Sequence, residues 1–111
     1  TSSYKYDLDI DGSVGSHNSI TIGSHGFGLI SYYDATNNDL KIANCSNQFN
    51  IGLCEIASTI TLDSGGDVGK YPSITMNPYG SALITYYDLT NGDLKILHCD
   101  NSFCVPYFRL R

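Results

Sequence analysis

The chain has 111 residues, enough for one domain with a buried core, and 41% apolar against 15% charged residues excludes a disordered polymer. A net charge of −5 argues against nucleic acid or an anionic membrane surface as partner. No apolar run approaches the roughly 18 residues of a membrane span. No basic-plus-apolar leader stands at Thr1, so the chain is expected to be a mature or excised piece. Nine Tyr, eleven Gly and abundant Ile, Thr, Asn and Asp favour strands joined by tight turns, with no sustained 3.6-residue apolar period, and predict an all-β fold.

The first segment, residues 1–13, contains "YKYDLDID". Tyr4, Tyr6, Leu8 and Ile10 alternate with Lys5, Asp7, Asp9 and Asp11, which predicts a half-exposed strand with its apolar side inward. It stands before "GSVG" as "STITLD" stands before "SGGDVG", so it reads as an extra strand with no repeat of its own ahead of it.

From Val14 the chain enters a unit that it later repeats. Val14–Cys45 and Val68–Cys99 match at a constant offset of 54, with about 18 identities in 32 positions. A period of this length signals a solenoid, propeller or array. Residues 14–67 form the first unit and 68–111 the second. Each unit reads as four short strands: "SITI" or "SITM"; "LISYYD" or "ALITYYD"; "DLKIANC" or "DLKILHC"; and "CEIASTITLD" or "CVPYFRLR". Four antiparallel strands at this spacing are expected to form a β-meander of the kind seen in a propeller blade.

The longest shared phrase is "SYYDATNNDLK" at Ser31–Lys41, which returns as "TYYDLTNGDLK" at Thr85–Lys95. Adjacent tyrosines in a strand point to opposite faces, so Tyr32 and Tyr33 predict a sheet packed on both sides. Asp34, Asn37 and Asp39, and Asp88, Asn91 and Asp93 in the copy, flank a turn. Asn91-Gly92 tolerates positive φ there, with Asn37-Asn38 as the substitute, while the carboxylates accept hydrogen bonds from turn amides. The same oxygens are the candidate ligands of a weak calcium site, the one cofactor the sequence suggests. The alternating ligands and distal Glu of an EF-hand are absent. A turn must be made in every unit, whereas a catalytic constellation is made once, so the doubled phrase reads as a fold signal.

The four cysteines, Cys45, Cys54, Cys99 and Cys104, fall as two pairs flanking the loop between the third and fourth strands of each unit. Four cysteines allow three connectivities. Opposed hairpin positions and the repeat favour Cys45–Cys54 with Cys99–Cys104, and zinc-knuckle spacing is missing. Disulfides imply an oxidising compartment and predict a secreted, extracellular protein.

No recognisable catalytic motif stands in the chain. His17 and His25 fall in turn segments and become Tyr71 and Tyr79 in the second unit; these four are the candidate ligand contacts. His98 replaces Asn44, and Glu55 is the only Glu.

The pattern "YYD-x-T-N-x-D-L-K" followed by a Cys pair, over residues 14–111, resembles tandem repeats of about 54 residues in secreted bacterial proteins, similar to the BNR and sialidase-like class of β-propeller. The resemblance implies four-stranded blades in a ring and carries no particular activity. Sialidases use an arginine cluster and a Tyr/Glu pair, whereas this chain has only Arg109 and Arg111 and no Trp for an Asp-box.

Two blades do not close a ring, since propellers have about four to eight. The expected assembly is a homo-oligomer, a trimer first, with the N-terminal strand as a clasp. The expected function is a non-catalytic binding module that self-assembles and takes a glycan or protein ligand through its loops. The alternatives are a glycosidase or sialidase-like fragment and a purely structural self-assembling piece.

Overall fold

The computed structural model describes residues 5–23, 26–46, 54–99 and 104. They form an all-β fold of two antiparallel sheets, with no helix among the described residues. The first sheet carries β1 (Val14–Ile22), β2 (Gly28–Asp34), β3 (Asp39–Ser46) and β4 (Ile56–Asp63), side by side in chain order. The second carries β5 (Val68–Met76), β6 (Ala82–Asp88) and β7 (Asp93–His98). The fourth strand expected after Cys104 falls outside the described residues, as do Tyr4 and His25.

The repeat is visible in the registers. Tyr32 pairs with Lys41 and Asp34 with Asp39, and Tyr86 pairs with Lys95 and Asp88 with Asp93. First strands are longer than "SITI" and "SITM" suggest. β1 and β5 begin at Val14 and Val68, and each contains irregularities around His17 and Tyr71, both at positive φ. An extra residue in one strand breaks the two-residue alternation that marks a strand in sequence, so these segments read as turns. His17 therefore belongs to a strand.

The sheets stack face to face. Leu29, Leu40 and Ile42 of the first meet Ile74, Ile84 and Tyr86 of the second in one apolar cluster, each 6% exposed or less. Removing each such aliphatic side chain from water contributes about 1.5–3 kcal/mol. The Ile74 amide donates to Ser19 Oγ (3.3 Å) and the Val68 amide to Asn38 O (3.2 Å), so backbone polar groups also bridge the stack.

The N-terminal segment departs from its expected alternation. Residues 5–10 form no strand and pair with none among the described residues, and they turn Asp9 inward while Ile10 is 82% exposed. Two charge-assisted partners for the carboxylate outweigh the exposure of one isoleucine.

Candidate functional site

The doubled phrase builds two sets of contacts, one on each face of its strand. Tyr32 and Tyr33 are both 4% exposed and point to opposite faces as their adjacency requires. The Tyr32 hydroxyl donates to Asp9 Oδ2 at 2.6 Å, and Lys41 Nζ donates to the same oxygen at 2.8 Å. One repeat later, Tyr86 and Lys95 donate to Asp63 Oδ2 at 2.6 and 3.0 Å. In each set the ammonium also lies over its tyrosine ring, 5.9 and 5.8 Å from the centroid, within cation–π reach.

These Tyr–Asp–Lys triads explain the segment before each unit. Asp63 closes β4 of the first sheet and reaches into the second, and Asp9 does the same for the first sheet from the N-terminal segment. Burial pushes both carboxyls up. The hydrogen bonds, from Lys41, Tyr32 and the Asp11 amide for Asp9, and from Tyr86, the Gly65 amide and Lys95 for Asp63, outweigh it and hold both below the usual carboxylate range. Burial, reinforced by the facing carboxylate, raises the Tyr32 and Tyr86 hydroxyls. Sequence reading placed Asp9 on the solvent side. The signal available was its offset of 54 from Asp63 beside the invariant "DLK" of both units.

On the other face, Tyr33 donates to Asp67 Oδ1 (2.6 Å), tying the first sheet to the start of β5, and lies 2.9 Å from Asn38 Oδ1. Burial and Asp67 push its hydroxyl up to about 12. Thr36 and Thr90 stand in the two copies of the turn. Their Oγ1 atoms accept the Ser13 and Asp67 amides at 2.7 and 2.8 Å, joining each unit to the segment that precedes it.

The turn residues do the work of a turn. Asp34 is 2% exposed; its Oδ1 accepts the amides of Thr36 and Asn37, and its Oδ2 accepts Asn37 Nδ2. Asp88 accepts the Asn91 amide and Nδ2 likewise, and these bonds hold its carboxyl below the usual range. Asn38 and Gly92 take the positive φ, 62° and 72°. Asp39 is pushed up by burial and by the neighbouring Asp34, whereas its counterpart Asp93 is exposed. Carboxylate oxygens already accepting two or three hydrogen bonds offer little to a cation, and no group of three metal-ligating residues occurs among the described residues. Glu55 is buried, at 5% exposure.

His17 and Tyr71, equivalent residues of the two units, meet edge to face with centroids 4.5 Å apart. Tyr79, at 94% exposure, sits on a turn whose Asn77 Oδ1 accepts its amide. The four candidate ligand contacts therefore do not form one site: His17 and Tyr71 come together, Tyr79 does not join them, and His25 lies outside the described residues. Cys45–Cys54 and Cys99–Cys104 are bonded as the repeat suggests.

A cleft of about 300 Å³ opens where the N-terminal segment lies on the first sheet. Tyr6, Asp7, Asn18 and Tyr32 supply polar and aromatic groups, over an apolar floor that includes Ile30 and Ala43. Compared with known proteins, the chain matches no family model, no curated protein and no solved structure.

Proposed function

We propose that the chain is a non-catalytic, extracellular repeat module of β-propeller type, which self-assembles and binds a glycan. The observation that carries this reading is the duplication of the Tyr–Asp–Lys triad. The most distinctive side chains of the repeat are spent in both units on joining one unit to the segment before it. Groups so engaged serve stacking, and stacking is what a blade does. Two disulfides support an oxidising, extracellular setting.

In this reading each sheet is a blade, a trimer of two-blade chains completes a six-bladed ring, and residues 1–13 act as the clasp. The cleft beside Tyr6 is the first candidate glycan site on a chain whose first sheet is undocked, because Gly15, Asn18 and Ile30 of that sheet's stacking face also line it. An exposed aromatic next to amide and carboxylate groups suits the apolar face and hydroxyl rim of a sugar. A protein ligand held by the same loops is the alternative. The glycosidase-like reading has less support. It needs a carboxyl held above its usual range in the cleft to act as general acid, and Asp9 is held below.

The test is a glycan array followed by calorimetric titration of the best binder, with Tyr6→Ala beside the parent protein. Binding that Tyr6→Ala abolishes in a folded protein supports the reading. An empty array favours the purely structural alternative, and release of product from a chromogenic glycoside would replace the binding module with an enzyme.

A further inference from the structure

We infer that the outer face of the second sheet docks the outer face of the first sheet of a second copy of this chain, head to tail, in the geometry that the two sheets already use inside one chain. The inference rests on the self-assembling reading above and names the partner and the surfaces.

The internal contact has two sides. The receiving side is the face of β3 that carries Leu40 and Ile42, both 0% exposed. The inserting side is β5, with Gly69 against the Leu40 backbone and Ile74 at 6% exposure. Moving each residue by the 54-residue repeat gives the same two sides without a partner. Leu94 and Ile96 stand where Leu40 and Ile42 stand, and they are 82% and 64% exposed. Ile20 stands where Ile74 stands and is 61% exposed; beside it Ile22, the counterpart of Met76, is 51% exposed.

Gly15 carries the argument further. Its φ of +94° matches the +105° of Gly69, so the backbone keeps the same unusual shape. A Cβ on Gly69 would come within 2.6 Å of Leu40 Cα, whereas a Cβ on Gly15 would meet nothing within 4 Å. Among the described residues a Cβ on Gly15 would have open space, yet the backbone has the same shape as the glycine that a neighbouring strand requires. Exposed apolar faces of this kind mark interaction surfaces. Here the internal stack supplies the matching half for each of them.

Polar groups continue across the junction in the same way. Val14 N would find Gly92 O, as Val68 N finds Asn38 O. His17 of the incoming copy would meet Tyr71, repeating the edge-to-face pair within the chain. The N-terminal segment shares the outer face of the first sheet: Tyr6, Asp7 and Leu8 line a cleft with Gly15, Asn18 and Ile30, which the docked sheet would fill. The segment holds Asp9 against Tyr32 and Lys41 as β4 holds Asp63 against Tyr86 and Lys95, and that arrangement coexists with the internal stack. Because the two docking faces differ, the contact is heterologous and builds a ring or a filament, not a two-fold dimer.

The experiment is light scattering after size-exclusion chromatography on the full chain and two variants. Leu94→Arg blocks the receiving face and Ile20→Arg the inserting face. Both residues are solvent-exposed in the single chain, so the monomer tolerates a charge there, and circular dichroism checks it. Ile96→Ser is a milder second variant of the receiving face. The parent protein is expected at a multiple of 12.1 kDa, and each variant alone at 12.1 kDa. An equimolar mixture of Leu94→Arg and Ile20→Arg is expected to stop at twice that mass, because one intact face of each kind remains. A monomeric parent protein overturns both the inference and the self-assembling reading. A multimeric parent whose single variants still dimerise, or whose mixture gains nothing, overturns the head-to-tail geometry alone.

Discussion

Gly69 lies against the backbone of Leu40: a Cβ at Gly69 would stand 2.6 Å from Leu40 Cα and 2.8 Å from Leu40 N. Backbone cannot move aside as a flexible side chain can. Gly69→Ala therefore combines overpacking with a positive φ that L residues resist, and is expected to cost about 2–5 kcal/mol. That corresponds to a melting-point drop of roughly 10 °C or more in a domain of this size. Gly15→Ala shares the φ but has open space, and in a single chain it should cost only about 1 kcal/mol. Thermal melts of the two variants under monomeric conditions test the difference, and equal losses would deny that Gly69 is a packing glycine.

The turn carboxylates invite a second comparison. Asp34→Ala orphans the amides of Thr36 and Asn37 and frees Asn37 Nδ2. Asp88→Ala frees the Asn91 amide and its Nδ2. Each is expected to lower stability by about 1–3 kcal/mol, with Asp34 the costlier. Because the turn's own donors occupy these oxygens, neither calcium nor a chelator should move the melting point of the parent protein. A calcium-dependent rise that Asp34→Ala abolishes would restore the metal reading.

How much of this was legible in the sequence depends on whether the cause is local. Strand identity, the Asn-Gly turn and the cysteine pairing follow from neighbours in the chain, and "YYD-x-T-N-x-D-L-K" announced them twice. The opposed faces of Tyr32 and Tyr33 followed from their adjacency alone. Asp9 did not, because alternation with Leu8 and Ile10 set it outward and only the distant Lys41 and Tyr32 turn it in. The starts of β1 and β5 were hidden by irregularities at His17 and Tyr71, which interrupt the two-residue period. Sheet stacking was expected from the repeat, but which face of each sheet it buries is set by tertiary contact.

The disulfides should stabilise unequally. They close loops of different length, with sequence separations of 9 for Cys45–Cys54 and 5 for Cys99–Cys104. Loop entropy gives about 2–3 kcal/mol for each, larger by a few tenths for the longer loop. Replacing Cys45 and Cys54 together by Ser is thus expected to lower the urea midpoint slightly more than replacing Cys99 and Cys104. Cys45 also packs 3.2 Å from where a Gly28 Cβ would be, deep in the first sheet, which adds to its side of the comparison. The opposite ranking would mean that native packing around Cys99 dominates over chain entropy.

Stability should fall at both ends of the pH scale, for different groups. Asp9 and Asp63 have folded values below the ordinary carboxylate value of 3.8, so the unfolded chain binds their protons more readily. Their contribution is present above about pH 4 and is lost as pH falls through the depressed folded values. Asp88 adds to this limb, and Asp39, shifted upward, opposes it in part. At the alkaline end the Tyr32, Tyr33 and Tyr86 hydroxyls and the Lys95 ammonium are raised. Their contribution is present below about pH 10 and drains away as pH climbs toward their folded values. Urea midpoints measured across the range should therefore form a plateau with two shoulders. Asp9→Asn with Asp63→Asn is expected to cost about 1–3 kcal/mol per site at neutral pH and to flatten the acid shoulder. If the double variant loses stability at neutral pH but keeps the full acid slope, the triads hold the sheets together without governing their acid response.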